Sequence, residues 1–302
     1  DNHRTLVCYK EGTLGENTCG SKCDTSTSVW TGSWRDGNAT QYPGSDAGSP
    51  ENSLTGQISW DGTTAAIQVP DTYKGYHFWR NTSIASLGIG QTATFPDGTL
   101  GYEWDWEQYH DFYPPGRVTL SKTTSGSHTH KLSLYRHSSG SLVFGAGTVQ
   151  WSWGLDDKHD RGNEAPSQDM QQATVNLFAD MGVQPGNLQS GLSLASVSTD
   201  VTAPVSIISF PANGASLAAN NPITISGTAS DATGIVTGVD VSVDGGLTWK
   251  TASGTTNWTY TWTPLTEGPL TIKSHAFDDS YNVEATGTAP SSNVVDVTIT
   301  AA

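Results

Sequence analysis

Residues Val239–Lys250 read VDVSVDGGLTWK, and this stretch decides the fold of the last hundred residues. Its β-branched first half has the character of a strand, and Asp244-Gly245-Gly246 supplies residues able to adopt positive φ in a hairpin. Working outward, Val205–Ser209, Ile223–Gly227, Val236–Val243, Asn257–Trp262, Leu270–Phe277 and Val294–Thr300 share this character and are separated by turn clusters. Short strands at such spacing predict a β-sandwich. Trp249, Trp258 and Trp262 are expected to fill the space between its sheets rather than to serve as a ligand platform.

The chain has 302 residues, more than one core usually holds, so two domains are expected. The boundary is placed at about residue 202, where a Trp-rich, helix-containing region gives way to Thr202-Ala203-Pro204-Val205. This divides the chain into 1–202, α+β, and 203–302, the sandwich. Only 14 Lys and Arg stand against 29 Asp and Glu, for a formal charge of −15, which repels nucleic-acid phosphates and anionic headgroups alike. No apolar run is long enough to insert into a membrane. Abundant Gly, Ser and Thr with 11 Trp suit a secreted, extracellular protein.

In the first two hundred residues, strands are predicted at Thr5–Tyr9, Ser53–Trp60, Ala65–Val69, Gln91–Thr94, Val118–Ser121, Lys131–Tyr135 and Ser141–Gly145. One helix is predicted from Ser167 to Met181. Ser167 caps it, Met170, Ala173, Thr174, Leu177 and Phe178 fall at helical spacing, and Gly182 stops it. The apolar strand so close to Asp1 leads us to expect a larger α/β body preceding it. Of three cysteines, Cys19 and Cys23 are the simplest disulfide across Gly20-Ser21-Lys22, leaving Cys8 in a strand; three thiolates on a metal lack a nearby fourth ligand.

The candidate chemistry lies in Gly101–His110, GYEWDWEQYH, where carboxylates, aromatic rings and an imidazole crowd together. If extended, Glu103, Asp105 and Glu107 share one face and Tyr102, Trp104 and Trp106 the other. Glu103, Asp105 and His110 are therefore the candidate catalytic groups. Trp104 and Trp106 are candidate ligand-stacking rings, since paired carboxylates beside Trp are what glycosidases use. Against this, the rings are core and the carboxylates are solvated or paired to Arg80 and Arg117. His128 and His130 alternate on a strand and could offer two imidazoles to a metal, and Asp156–Asp160 could bind calcium but lacks the Gly-centred alternation of a calcium loop. No nucleophile elbow or phosphate-cradling Gly-rich loop is present.

Two resemblances follow from these residues. VDVSVDGGLTWK after TISGTASD (Thr224–Asp231) is similar to bacterial Ig-like modules, which makes the expected sandwich immunoglobulin-like; such modules usually space, dock or bind. RTLVCYKEG, SWRDG followed by PENSLTGQ, FWRNTSIASLGIGQTATFPDGTLGYEWDWE, HKLSLYRHSSGSLVFGAGTVQWSWGLDD and QATVNLFADMGVQP, spread in order over residues 1 to 188, resemble the C-terminal part of N,N-dimethylformamidase large (beta) subunit-like proteins. That resemblance implies a strand-rich part of a glutamine-amidotransferase-like body, and an iron held by two Tyr and a Glu for hydrolysing a small amide. The ligand-bearing segments of that family, including a His-x-Glu-Tyr-Trp type motif, have no counterpart here, so iron is expected only with an upstream segment. Glu103 in GYEWD matches the position of a carboxylate near that iron. The expectation is a chain that does not catalyse alone and has a structural, assembly or binding role. Its expected partners are a polysaccharide or other cell-surface component, the upstream portion, or another copy of itself. The alternatives are a hydrolase portion and a Trp-rich glycan-binding or glycan-cleaving surface protein.

Overall fold

The computed structural model describes residues 11–13, 23–24, 51–58, 61–107, 112–160, 162–287 and 291–302. The expected strand Thr5–Tyr9, Cys8, and the pairing of Cys19 with Cys23 lie outside the described residues; of Cys23 only the backbone is described. Strands β1 (Glu11–Thr13) and β2 (Cys23–Asp24) pair in parallel. There follow helix α1 (Asn52–Thr55) and strands β3 (Gln68–Pro70), β4 (Thr92–Thr94), β5 (Val118–Thr119), β6 (Thr123–Ser125), β7 (His128–His130), β8 (Ser133–Arg136) and β9 (Leu142–Gly145), then helix α2 (Gln168–Asp180). β3 pairs with β4 and β6 with β7, while β5, β8 and β9 form a three-stranded sheet. These sheets are too small to bury much alone. Ile67, Phe78, Trp79, Leu100, Leu120, Leu132 and Leu134 from the strands and the turns between them therefore share one core.

Over the described residues 53–58 the strand expected at Ser53–Trp60 is not formed: its first residues are the helical turn α1, and Ser59 and Trp60 lie outside the described residues. Gly56 explains this, because at φ +72° it ends the turn with its N–H donating to the Asn52 carbonyl at 3.0 Å, a left-handed stop that a strand has no use for. Helix α2 forms where expected, with the Ser167 hydroxyl accepting from the Met170 N–H and Gly182 at φ +79°. Met170, Ala173 and Leu177 face the main core. Phe178, expected beside them, is 45% exposed, and the helix instead has a second buried stripe, Val175 and Ala179, under Leu188, Leu192 and Ala195. Asn176 is sealed in by donating to the carbonyls of Phe78 and Arg80.

The second part is an immunoglobulin-like sandwich. One sheet runs β10 (Val205–Phe210), β12 (Ile223–Ser230), β16 (Asn257–Trp262), β15 (Ser253–Gly254); the other runs β11 (Ser216–Ala218), β18 (Val294–Thr300), β17 (Gly268–Asp278), β13 (Val236–Ser242), β14 (Lys250–Thr251). Ile225, Val239, Val241, Trp258, Ile272 and Val297 fill the space between them. Of the three tryptophans expected there, Trp258 is fully buried, whereas Trp249 and Trp262 are half-buried at the margins.

The two parts share apolar contacts. Phe277, at the end of β17, and Tyr281 just beyond it are buried in the core cluster of the first part, with Val283 packed against it. Polar contacts flank them: the Gly116 N–H donates to Asp240 and the His77 N–H to Asp279, both at 2.8 Å. Removing a buried phenyl ring costs about 3–5 kcal/mol. Phe277→Ala should therefore lower the urea midpoint of fluorescence from both parts together, in one shared transition; two separate transitions, only one of them displaced, would show that the parts unfold independently.

Candidate functional site

The segment Gly101–Glu107 is pinned on both sides of Trp104. Trp104 bridges Asp61 through backbone hydrogen bonds of 2.8 and 3.3 Å, and also forms a bridge with Thr148. Its ring is 1% exposed and its indole N–H donates to the Thr63 carbonyl at 3.1 Å, so it offers no face to a ligand. Tyr102, expected on the same face, is 41% exposed because it sits in a bend, where strand alternation does not apply. Glu103 is exposed and Asp105 half-buried; His110 lies outside the described residues.

The carboxylate that finds strong partners is Glu107. It accepts from Arg117 at 2.9 Å and from Lys131 at 2.6 Å, and Arg117 also lies 4.1 Å over the Tyr113 ring. Burial raises the Glu107 carboxyl, but the two cations outweigh it and hold the group below the ordinary carboxylate range. Arg117 thus pairs within this segment as expected. Arg80 does not: it makes a two-pronged contact with Asp180 of α2, which His77 also meets at 3.1 Å.

The two histidines of β7 do share a face, since both present to Trp104 edge-on, with ring centroids 6.3 and 6.1 Å from it. One nitrogen of each has a partner of its own, while His130 Nδ1 is buried without one. His128 Nδ1 lies 2.6 Å from Asp61, and its ring stacks on Trp106 at 4.3 Å and 5°. His130 is wholly buried, with Nε2 2.9 Å from the Ala146 carbonyl, and burial pushes its imidazole down to about 4, so it is neutral. Among the described residues, the grouping of three His, Cys, Asp or Glu side chains near enough to share an ion is Asp200, Asp231 and Asp278, which includes none of these groups. Asp156–Asp160 is a solvated turn: Asp156 accepts from the Lys158 N–H, and Asp157 and Lys158 pair at the surface.

Sequence reasoning missed Asp61 and the joining of Glu107 to Lys131. Asp61-Gly62-Thr63 carries a local turn signal, with Asp61 accepting from the Thr63 N–H at 2.7 Å, but nothing nearby points to His128. Asp61, Trp106 and His128 together make an imidazole held at its edge by a carboxylate and at its face by an indole. Trp153 is likewise stacked by His159 at 4.2 Å, and Trp249 by His275 at 3.9 Å.

Residues 1–168, more than half of the chain, match the family described as N,N-dimethylformamidase beta subunit-like, C-terminal. The chain belongs to this family. Residues 204–301 match the bacterial Ig domain. No curated protein matches. Among solved structures, fibronectin(III)-like modules of Clostridium thermocellum CbhA are 23% identical over 32% of this chain and 99% of theirs, with a TM-score of 0.27. The PKD domain of an M14-like peptidase from Thermoplasmatales archaeon SCGC AB-540-F20 is 12% identical over 32% of this chain and 92% of its own, at 0.25.

Two tests separate these side chains. Glu103→Gln should change the unfolding free energy by less than about 0.5 kcal/mol, whereas Glu107→Gln, which leaves Arg117 and Lys131 without their anion, should cost on the order of 3 kcal/mol in chemical denaturation. His130 has a folded value below its ordinary 6.5, so the unfolded chain takes up the proton first. Its contribution is complete above pH 6.5 and is lost as pH falls toward about 4, by up to about 3 kcal/mol. Denaturation curves across that window should show a shallower loss in His130→Gln than in the parent; identical slopes would remove His130 as the source.

Proposed function

We propose that this chain is a non-catalytic structural unit of an extracellular bacterial protein, holding an Ig-like domain against a dimethylformamidase-like region and acting by binding or assembly. The observation that carries the reading is the burial of Phe277 and Tyr281 in the core of the first part, because an Ig domain used only as a spacer needs no such contact. Two further features support it. Glu103 is exposed, and Glu107 is neutralised by two cations. The charge of −15 favours neutral or cationic partners, such as a cell-surface polysaccharide, another portion of the same protein, or a second copy. Glycan stacking on Trp104 is opposed by its burial, and on the half-buried Trp106 one ring face is already covered by His128. An extracellular location is compatible with the bacterial Ig domain and with the described helices, none of which is long and apolar enough to cross a membrane.

A hydrolase reading is favoured by family membership over residues 1–168. In it, the first part belongs to a glutamine-amidotransferase-like body, and Glu103 would form one wall of an iron site whose ligands lie in another segment. Among the described residues, the one grouping of three His, Cys, Asp or Glu side chains does not include Glu103. The chain incubated with ferrous iron and N,N-dimethylformamide should release no dimethylamine above the iron-only background. Release that scales with protein and is lost in Glu103→Gln would overturn the non-catalytic reading in favour of the hydrolase.

A further inference from the structure

Three aspartates from distant parts of the sequence meet where the connecting segment enters the sandwich. Asp200 lies in that segment, Asp231 follows β12, and Asp278 ends β17; one carboxylate oxygen from each lies within 4.8 Å of the other two. Each side chain is oriented by its surroundings. Asp200 Oδ1 accepts from Thr202 N and Thr233 Oγ1, Asp231 Oδ1 from the N–H groups of Thr233 and Gly234, and Asp278 from Ser280 N and from Asn282 through both its N–H and its amide. These contacts use one oxygen of Asp200 and one of Asp231. The other oxygen, Oδ2 in both cases, is sealed from solvent and has no hydrogen-bond partner.

An orphaned, buried carboxylate oxygen costs several kcal/mol unless something positive meets it, and here there are two beside a third carboxylate that is itself fully buried. Gly234 keeps the space beside them open: a Cβ there would collide with Asp200 Oδ2 and come within 3.2 Å of Asp231 Oδ2. Among the described residues, no basic side chain supplies the missing charge. Lys74 and Arg80 line the neighbouring cleft of about 510 Å³, but Lys74 donates to the Leu87 carbonyl and Arg80 pairs with Asp180. Among the described residues, no Lys, Arg or His forms an ion pair with any of the three aspartates.

We infer that Asp200, Asp231 and Asp278 bind one hard divalent cation of the calcium class, which fastens the segment leading into the sandwich to the sandwich's own loops. The donors are all oxygens, on loops and at a strand end, with neither imidazole nor thiolate, and this is the donor set that calcium takes. The Asn282 amide already ties the Asp200 carbonyl to the same corner, and Ser198 meets Ser280 at 2.7 Å, so the ion would complete a closure the chain has begun.

Calorimetric titration of the full chain with Ca2+, alongside thermal unfolding in Ca2+ or EGTA, tests the site. The expected result is one saturable Ca2+ per chain and a midpoint several degrees higher in Ca2+ that EGTA reverses. Asp231→Asn and Asp200→Asn should each lose the calcium-dependent rise. In EGTA, Asp231→Asn should unfold no lower than the parent, because removing one of three crowded charges relieves repulsion, whereas loss of a purely structural carboxylate would lower the midpoint. Absence of saturable binding in the parent, or a calcium response undiminished in both variants, would overturn the assignment and leave only diffuse attraction of cations to a chain of charge −15.

Discussion

Strand β17 is eleven residues long, and where it ends the chain leaves its own sandwich. The ring of Phe277 lies against Gly238 of β13, where any Cβ would collide with it, and its outer side belongs to the core of the first part. Tyr281 follows at φ +66°, with its ring buried and its hydroxyl unpartnered. A left-handed tyrosine and an orphaned buried hydroxyl are each unfavourable by about 1–3 kcal/mol. Such a residue persists when its surroundings fix it from several sides, and the surroundings here come from both parts of the chain. The small sheets β3–β4, β6–β7 and β5–β8–β9 gain from this contact an apolar cover that they lack alone.

The charge balance follows a related logic. With 14 basic residues against 29 acidic ones, cations are scarce, and three of them meet acids that are largely buried. Arg80 meets Asp180 beneath α2, and Arg117 and Lys131 flank Glu107. Asp200, Asp231 and Asp278 form an acidic corner where unpartnered buried oxygens meet no ion-pairing cation among the described residues. Electrostatic repulsion there is local and partly desolvated, so bulk salt relieves it poorly.

How much of this is legible in the sequence depends on the range of the interactions involved. The sandwich strands could be read because β-branched runs and turn residues act locally: Asn257–Trp262 and Val294–Thr300 fall where the pattern places them. The cap at Ser167 and the stop at Gly182 are equally local. Phe178 was misplaced because helical spacing reveals one apolar stripe, while the second stripe of α2 depends on Leu188 and Leu192 folding back over it. At the candidate site, strand alternation along Tyr102–Trp106 gives way to the bridges that pin Trp104. The pairing of Asp61 with His128, sixty-seven positions away, has no local signal at all.

The role of that pair can be judged by its recurrence. Asp61, His128 and Trp106 form a carboxylate, an imidazole and a stacked indole, and the sandwich repeats the set with Asp240, His275 and Trp249. In the second set, Asp240 and His275 are buried, and Asp240 also takes the Gly116 N–H and the Thr251 hydroxyl, so its work is to hold two parts of the chain together. The carboxylate fixes the ring's orientation, and the flat ring covers an indole face that would otherwise meet water. One construction used in two unrelated parts of a chain points to a cause common to both, and packing is such a cause, whereas proton transfer would require a reacting partner at each. The Asp61–His128 pair is therefore best understood as a lid on Trp106, a packing role that needs no reacting partner.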